Sequence, residues 1–131
     1  MQALEKIFAK MDFDFFGSGE HVINLETAVP LIAQPEKAVF LDLRTKEEAK
    51  WLSFNFALHI PVNELPQRIA EVPKDKLIIL FCSSVVRAAM VYPYFLALGF
   101  ERVKILSVPA EGLVGVFKPG PLYKRRQKQE A

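Results

Sequence analysis

The feature that most constrains the fold is the stretch 76–82 (KLIILFC), in which five consecutive apolar residues lead into the only cysteine, Cys82. A strand covered on one face alternates apolar and polar residues, whereas a strand covered on both faces is continuously apolar. The stretch therefore predicts the central strand of a parallel sheet. The next segment, 86–98, has the length of a helix that Pro93 should bend, and Gly99 stands where a helix-terminating glycine is expected.

Four more short apolar segments predict strands, and helix-like segments separate them. The strands are predicted at 22–25, 38–43, 57–62 and 102–106, and the helices between them at 26–33, 45–52 and 63–72. Thr45 and Glu48 have the spacing of a capping box at the second of these helices, and Asn63 is the expected cap of the third. The alternation predicts an α/β domain with a central, mainly parallel five-stranded sheet flanked by helices.

An N-terminal helical extension, 1–19, precedes the domain at 20–118. Its apolar residues recur at helical spacing and predict an amphipathic helix that docks on the domain: Leu4, Ile7, Phe8, Met11 and Phe15. The phenylalanine cluster of this segment leaves contact with a partner or a membrane surface as an alternative: Phe13, Phe15 and Phe16.

A basic tail, 119–131, follows the domain. It carries four basic residues against one acidic residue, so the chain's net charge of +2 belongs to a short terminus and not to a folded face. We expect this terminus to be solvated, with contact to nucleic acid, acidic protein or anionic lipid as the alternative. No nucleic acid partner is expected for the domain itself.

Composition and cysteine content exclude several classes of protein. Hydrophobic residues make up 51% and charged residues 24% of the 131 residues, which is a globular composition. One cysteine excludes an internal disulfide, and the two histidines, His21 and His59, have no partner at metal-ligand spacing. We therefore expect no metal and no other cofactor. No secretory signal or transmembrane segment is recognisable, so we expect a cytoplasmic protein with a reduced thiol.

Cys82 is the candidate catalytic residue, because it follows the central strand and precedes a helix. Sites in open α/β sheets form at such strand ends. The unpaired N–H groups at a helix start favour a thiolate over a thiol and can hold an anion. Arg87 adds a positive charge, and Ser83 and Ser84 add hydroxyl donors. The alternative is that Cys82 is only a small buried apolar residue.

The six residues 82–87 (CSSVVR) resemble the active-site loop of the rhodanese family of sulfurtransferases, which has four residues between cysteine and arginine. The stretch FLDLRTKEEA resembles the family's strand that ends in Asp-x-Arg, which places these two residues at Asp42 and Arg44. The stretch ALGFERVKIL resembles the end of a helix and the last strand of the family. The resemblance covers roughly 20–118 and implies a rhodanese-like fold.

The length of the loop separates two related chemistries. Phosphatases of the same fold have five residues between cysteine and arginine, which makes a loop wide enough for phosphate. The four residues here, Ser83, Ser84, Val85 and Val86, suit the terminal sulfur of a persulfide. The resemblance therefore favours sulfur transfer over a phosphatase or arsenate reductase.

The resemblance implies that Cys82 takes sulfur from a small donor such as thiosulfate and passes it to a thiol, cyanide or protein acceptor. Backbone amides from Ser83 to Arg87 are then expected to bind the persulfide. Asp42 and Arg44 are expected to be structural, joining neighbouring loops by charged hydrogen bonds.

Three departures from the family pattern motivate a second hypothesis, a catalytically weak protein-binding module. Val85 stands where the family often has glycine. The stretch 52–57 (LSFNFA) is more apolar than the family's stretch at the same place, and of the family's later Gly-Gly…Trp pattern this sequence keeps only Gly112. This hypothesis predicts an apolar surface for a protein partner near Trp51, Phe54 and Phe56.

Overall fold

Five parallel strands form the sheet of the computed structural model, which describes residues 2–130. The strands are β1 (Val22–Ile23), β2 (Ala38–Asp42), β3 (Ala57–His59), β4 (Leu77–Phe81) and β5 (Val103–Leu106). Their order in the sheet is β1-β5-β4-β2-β3, and every pair of neighbours is parallel. β4 therefore lies in the middle of the sheet, which confirms the prediction from the apolar stretch at 76–82.

Helices connect the strands and cover both faces of the sheet. They are α1 (Ala3–Ala9), α2 (Phe13–Ser18), α3 (Leu25–Ala28), α4 (Lys46–Trp51), α5 (Leu65–Arg68), α6 (Val85–Ala97), α7 (Ala110–Gly115) and α8 (Pro119–Glu130). Short 3-10 turns lie at Val29–Ala33, Val62–Glu64 and Ile69–Glu71. Within residues 2–130, none of these helices is both long and apolar enough to cross a bilayer.

Alternate side chains of β4 fill two separate cores. Ile78 and Leu80 pack with Cys82 in the larger core, beneath α6. Ile79 and Phe81 pack in the second core, with residues of α3 and α7. All five of these side chains are essentially inaccessible to solvent. The continuous apolar run is therefore the sum of two alternating patterns, one for each face of the sheet.

The end of α6 is set by Gly99, which has a φ of 87° in the left-handed region. The N–H of Gly99 donates to the Leu96 carbonyl and the N–H of Phe100 donates to the Phe95 carbonyl, each at 3.1 Å. The rings of Phe95 and Phe100 meet with centroids 4.9 Å apart. These features form a Schellman motif with its hydrophobic contact, as the position of Gly99 predicted.

The N-terminal extension differs from the single predicted helix. The side chain of Asp12 accepts a hydrogen bond from the N–H of Phe15 at 3.0 Å, so it begins a second helix, α2, and separates it from α1. Met11 and Phe15 pack on the larger core, as expected of the docking face. Leu4 and Phe8, predicted for the same face, are instead 48% and 54% exposed. Phe13 is 88% exposed.

One further segment departs from the prediction, and the structure adds a helix in the tail. Asn63 is not a helix cap, because it lies inside the 3-10 turn Val62–Glu64, and α5 begins at Leu65 with Pro66 in its first turn. The basic tail is helical as α8, although most of its described side chains are exposed. A proline in the first turn of a helix loses no hydrogen bond, which explains the start of both helices next to Pro66 and Pro119.

Replacing Leu80 with Ala should lower the free energy of unfolding by about 2–5 kcal/mol, because the truncation leaves a cavity inside the larger core. The control Phe13→Ala removes an exposed ring and should change it by less than about 0.5 kcal/mol. Urea denaturation followed by circular dichroism measures both values. A similarly small effect for both variants would contradict the assignment of β4 as the doubly covered strand.

Candidate active site

Cys82 lies at the carboxyl end of β4, directly before the turn into α6. Its residue is 1% exposed, so the sulfur lies beneath the surface of the turn. The N–H of Ala88 donates to Sγ at 3.3 Å, which is one contact of the kind that stabilises negative charge on sulfur. The thiol also donates to the carbonyl oxygen of Ser84. The sulfur therefore faces one backbone donor and one backbone acceptor.

None of the residues 82–87, called here the Cys82 loop, has a left-handed backbone conformation. Among residues 2–130 no non-glycine residue has a positive φ, and Val85 is already the first residue of α6. A β-branched residue is therefore accommodated at Val85 without the conformation that it disfavours. The N–H of Ala88 is the described donor to Sγ, and binding of a persulfide's terminal sulfur by the amides from Ser83 to Arg87 stays a prediction.

Arg87 is held in place by two carboxylate oxygens of Glu48. Its Nη1 donates to Oε1 of Glu48 at 2.6 Å and its Nη2 donates to Oε2 at 2.7 Å, a bidentate pair. Nη2 also donates to the hydroxyl of Ser83. The hydrogen bonds from Arg87 hold the pKa of Glu48 well below its usual range, and the pKa of Arg87 is raised by the same pairing. Both side chains therefore remain charged at neutral pH.

Glu48 also takes part in the cap at the start of α4, which explains why it stands three residues after Thr45. Its N–H donates to the hydroxyl of Thr45 at 3.1 Å, and its carboxylate accepts from the N–H of Thr45 at 3.0 Å. The predicted capping box is therefore confirmed. The pairing with Arg87, 39 residues away, was not predicted, because the capping pattern accounts for Glu48 by itself.

Asp42 and Arg44 form a buried ion pair next to the site. Nε and Nη2 of Arg44 donate to the carboxylate of Asp42 at 3.0 and 2.8 Å, and the two residues are 4% and 2% exposed. Nη2 also donates to the carbonyl of Leu52 at 2.7 Å, and the ring of His59 lies 2.7 Å from the carbonyl of Arg44. The pair thus joins the ends of β2, α4 and β3.

The apolar residues at the end of α4 and directly after it do not form the continuous exposed surface that the sequence suggested. Trp51 is 84% exposed, as expected for a contact surface. Phe54 and Phe56 instead pack against the second core, where Phe54 meets Phe81 and Phe56 meets Phe40, each with centroids 5.4 Å apart. These inward contacts leave Phe54 and Phe56 only partly exposed.

Replacing Glu48 with Gln should remove a pH-dependent contribution to stability. Because the pKa of Glu48 is lowered from its usual 4.5, the contribution of its charged form is complete above that value and is lost as the pH falls through the folded pKa. The difference in free energy of unfolding between wild type and Glu48→Gln should therefore be constant at about pH 6–8 and shrink below about pH 5. Urea titrations across this range measure it.

The matched control is Glu47→Gln, which removes a carboxylate from the same helix but from none of the contacts with Thr45 and Arg87 described above. Equal pH profiles for the two variants would contradict the role assigned to Glu48.

Comparison with protein families gives a match for residues 27–108, to the model described as a rhodanese-like domain. A protein named sulfurtransferase from Allochromatium vinosum is 30% identical over 81 residues, which cover 62% of this chain and 76% of the relative. These matches support sulfur transfer at the level of the family.

Two solved structures are similar in fold. The crystal structure of reduced Bacillus anthracis CoADR-RHD has a TM-score of 0.62 at 21% identity and matches 76% of this chain. A NAD-dependent persulfide reductase from A. fulgidus has a TM-score of 0.58 at 27% identity and matches 81% of this chain. The match covers only 17% and 18% of those longer proteins. The family match, the sulfurtransferase relative and the fold lead to one conclusion: this chain belongs to the family of rhodanese-like domains.

Proposed function

We propose that this chain is a sulfurtransferase that carries sulfane sulfur as a persulfide on Cys82. The observation that carries the proposal is the position of Cys82 between β4 and α6, with the N–H of Ala88 directed at Sγ and Arg87 fixed beside the loop. The family match to a rhodanese-like domain and the sulfurtransferase relative support the same chemistry. A cysteine at a helix start next to an arginine is the setting in which thiols become nucleophiles.

The proposed donor is thiosulfate or a related small sulfane compound. The thiolate of Cys82 attacks the outer sulfur, the sulfur–sulfur bond of thiosulfate breaks, and sulfite leaves with the bonding electron pair. The product on the protein is the anion of a Cys82 persulfide. A thiol, cyanide or an acceptor protein then attacks the terminal sulfur, and the thiolate of Cys82 is the leaving group.

In this proposal the protein supplies charge stabilisation and position. The N–H of Ala88 donates to Sγ, and the guanidinium of Arg87 places a positive charge beside the Cys82 loop through its hydrogen bond to Ser83. Asp42 and Arg44 act indirectly, since their buried pair fixes the loops around the site. Ionisation of Cys82 to the thiolate would end the hydrogen bond that the thiol donates to the Ser84 carbonyl.

A second candidate function is a binding module with weak catalysis. The observation that favours it is the burial of Cys82, which is only 1% exposed. A thiol that stays buried is reached slowly by donors. The rate of Cys82 alkylation by iodoacetamide separates the two candidates, because a sulfur carrier must expose its nucleophile during turnover.

Incubation with thiosulfate should add about 32 Da, one sulfur atom, to the intact mass of the protein, because Cys82 keeps the transferred sulfur. The gain should be absent in Cys82→Ala and should be reversed by cyanide. Ser84→Ala is the matched control, because it changes a neighbouring side chain and leaves the thiol in place.

A mass gain that survived in Cys82→Ala would contradict the mechanism. No gain in wild type, together with slow alkylation of Cys82, would favour the binding module.

A further inference from the structure

A groove of about 200 Å³ lies along α6, and its lining is mostly apolar. We call it the α6 groove. The residues that line it are Val62, Leu65, Pro66, Met90, Val91 and Tyr94. We propose that the α6 groove receives an uncharged, extended segment of an acceptor protein and so presents a cysteine of that segment to Cys82. The proposal rests on the proposed sulfur transfer and specifies its acceptor.

The exposed apolar residues of α6 lead from the Cys82 loop into the groove. Val86 belongs to the loop and is 63% exposed, and Met90, one helical turn further, is 73% exposed. Tyr94 follows after another four residues and lines the groove. Residues four apart lie on one face of a helix, so the three side chains form a continuous strip. Large exposed apolar residues next to a reactive site indicate a contact surface.

The elements that form the groove offer no unpaired charge to a partner. Residues 62–68 and α6 contain three charged residues, Glu64, Arg68 and Arg87. Glu64 accepts from Lys46 at 3.1 Å and from Arg68 at 3.2 Å, and Arg87 pairs with Glu48 at 2.6 Å. A charged segment would lose hydration without gaining a new partner. Electrostatic complementarity therefore favours an uncharged occupant.

The burial of Cys82 sets the shape of the occupant. Because the residue is 1% exposed, a cysteine on a flat protein surface would be held away from it, whereas a cysteine on an extended segment can enter the loop. One helical turn, from Val86 to Met90, spans about 5.4 Å, and an extended chain advances about 3.3 Å per residue. Apolar side chains two to four residues from the cysteine would therefore reach the groove.

Short peptides test this inference directly. Each peptide has one cysteine. The three positions two to four residues from it carry isoleucine, leucine and valine in the apolar peptide, serine and glutamine in the polar peptide, and glutamate in the charged peptide. Each peptide is made in two versions, with these positions before or after the cysteine. Transfer from the Cys82 persulfide is followed as a mass gain of about 32 Da on the peptide. We expect kcat/KM to be about tenfold higher for the apolar peptide than for the polar one in at least one of the two directions.

Met90→Glu should act on this preference, because it places an unpaired charge on the strip. The ratio of kcat/KM for the apolar peptide to kcat/KM for cyanide should fall about tenfold, whereas the control Ala97→Glu, at the exposed end of the same helix, should leave it unchanged. A fluorescent peptide with serine in place of cysteine measures binding without chemistry and should lose affinity in Met90→Glu alone.

The outcomes separate this inference from the proposed function. If thiosulfate does not load Cys82, sulfur transfer fails, and the serine peptide still tests the groove. If loading proceeds but the peptides react equally, or the glutamate peptide reacts faster, the inference is overturned. Concentration-dependent self-association that Met90→Glu abolishes would also overturn it, because the occupant would then be a second copy of this chain.

Discussion

The burial of β4 on both faces is the constraint on which the rest of the structure depends. Ile78 and Leu80 point into one core and Ile79 and Phe81 into the other, so a shift by one residue would exchange the two sets of side chains. Such a shift would exchange side chains of different size between two packed cores. The register therefore determines that Cys82, the next residue, lies on the face covered by α6. The packing of apolar side chains thus positions the thiol.

The two ion pairs near the site differ in their surroundings and therefore in their effect. The pair of Asp42 and Arg44 is almost fully buried, so the loss of either partner would leave an uncompensated charge in the interior. The pair of Glu48 and Arg87 is about 30% exposed, and such a pair adds little net stability. Its main effect is geometric, since it fixes a flexible arginine beside the Cys82 loop.

The two pairs are connected through α4. Arg44 donates to the carbonyl of Leu52 at the end of this helix, and Glu48 reaches Arg87 from its first turn. The buried pair therefore holds the helix that carries the carboxylate, and the carboxylate holds the arginine. A change at Asp42 would be transmitted to the Cys82 loop although Asp42 makes none of the described hydrogen bonds to that loop.

Local patterns predicted most of the fold because each of them has a local physical cause. The central strand followed from continuous apolar character, the start of α4 from the spacing of Thr45 and Glu48, and the end of α6 from Gly99. The site was predicted less completely, because its contacts join distant parts of the chain. No local pattern connects Glu48 to Arg87, and none reveals that the Ser84 carbonyl faces Sγ.

Burial of the inner sulfur has a consequence for the direction of the proposed chemistry. A thiol can attack a persulfide at its terminal sulfur, which transfers that sulfur, or at the inner sulfur, which forms a mixed disulfide and releases sulfide. Sγ of Cys82 is covered by the Cys82 loop and accepts a hydrogen bond from the N–H of Ala88. The terminal sulfur of a persulfide would lie about 2 Å from Sγ. An acceptor bound in the α6 groove, as proposed, would therefore meet the terminal sulfur first. In the proposed mechanism, the loop that limits access to the free thiol would thereby favour transfer over mixed-disulfide formation.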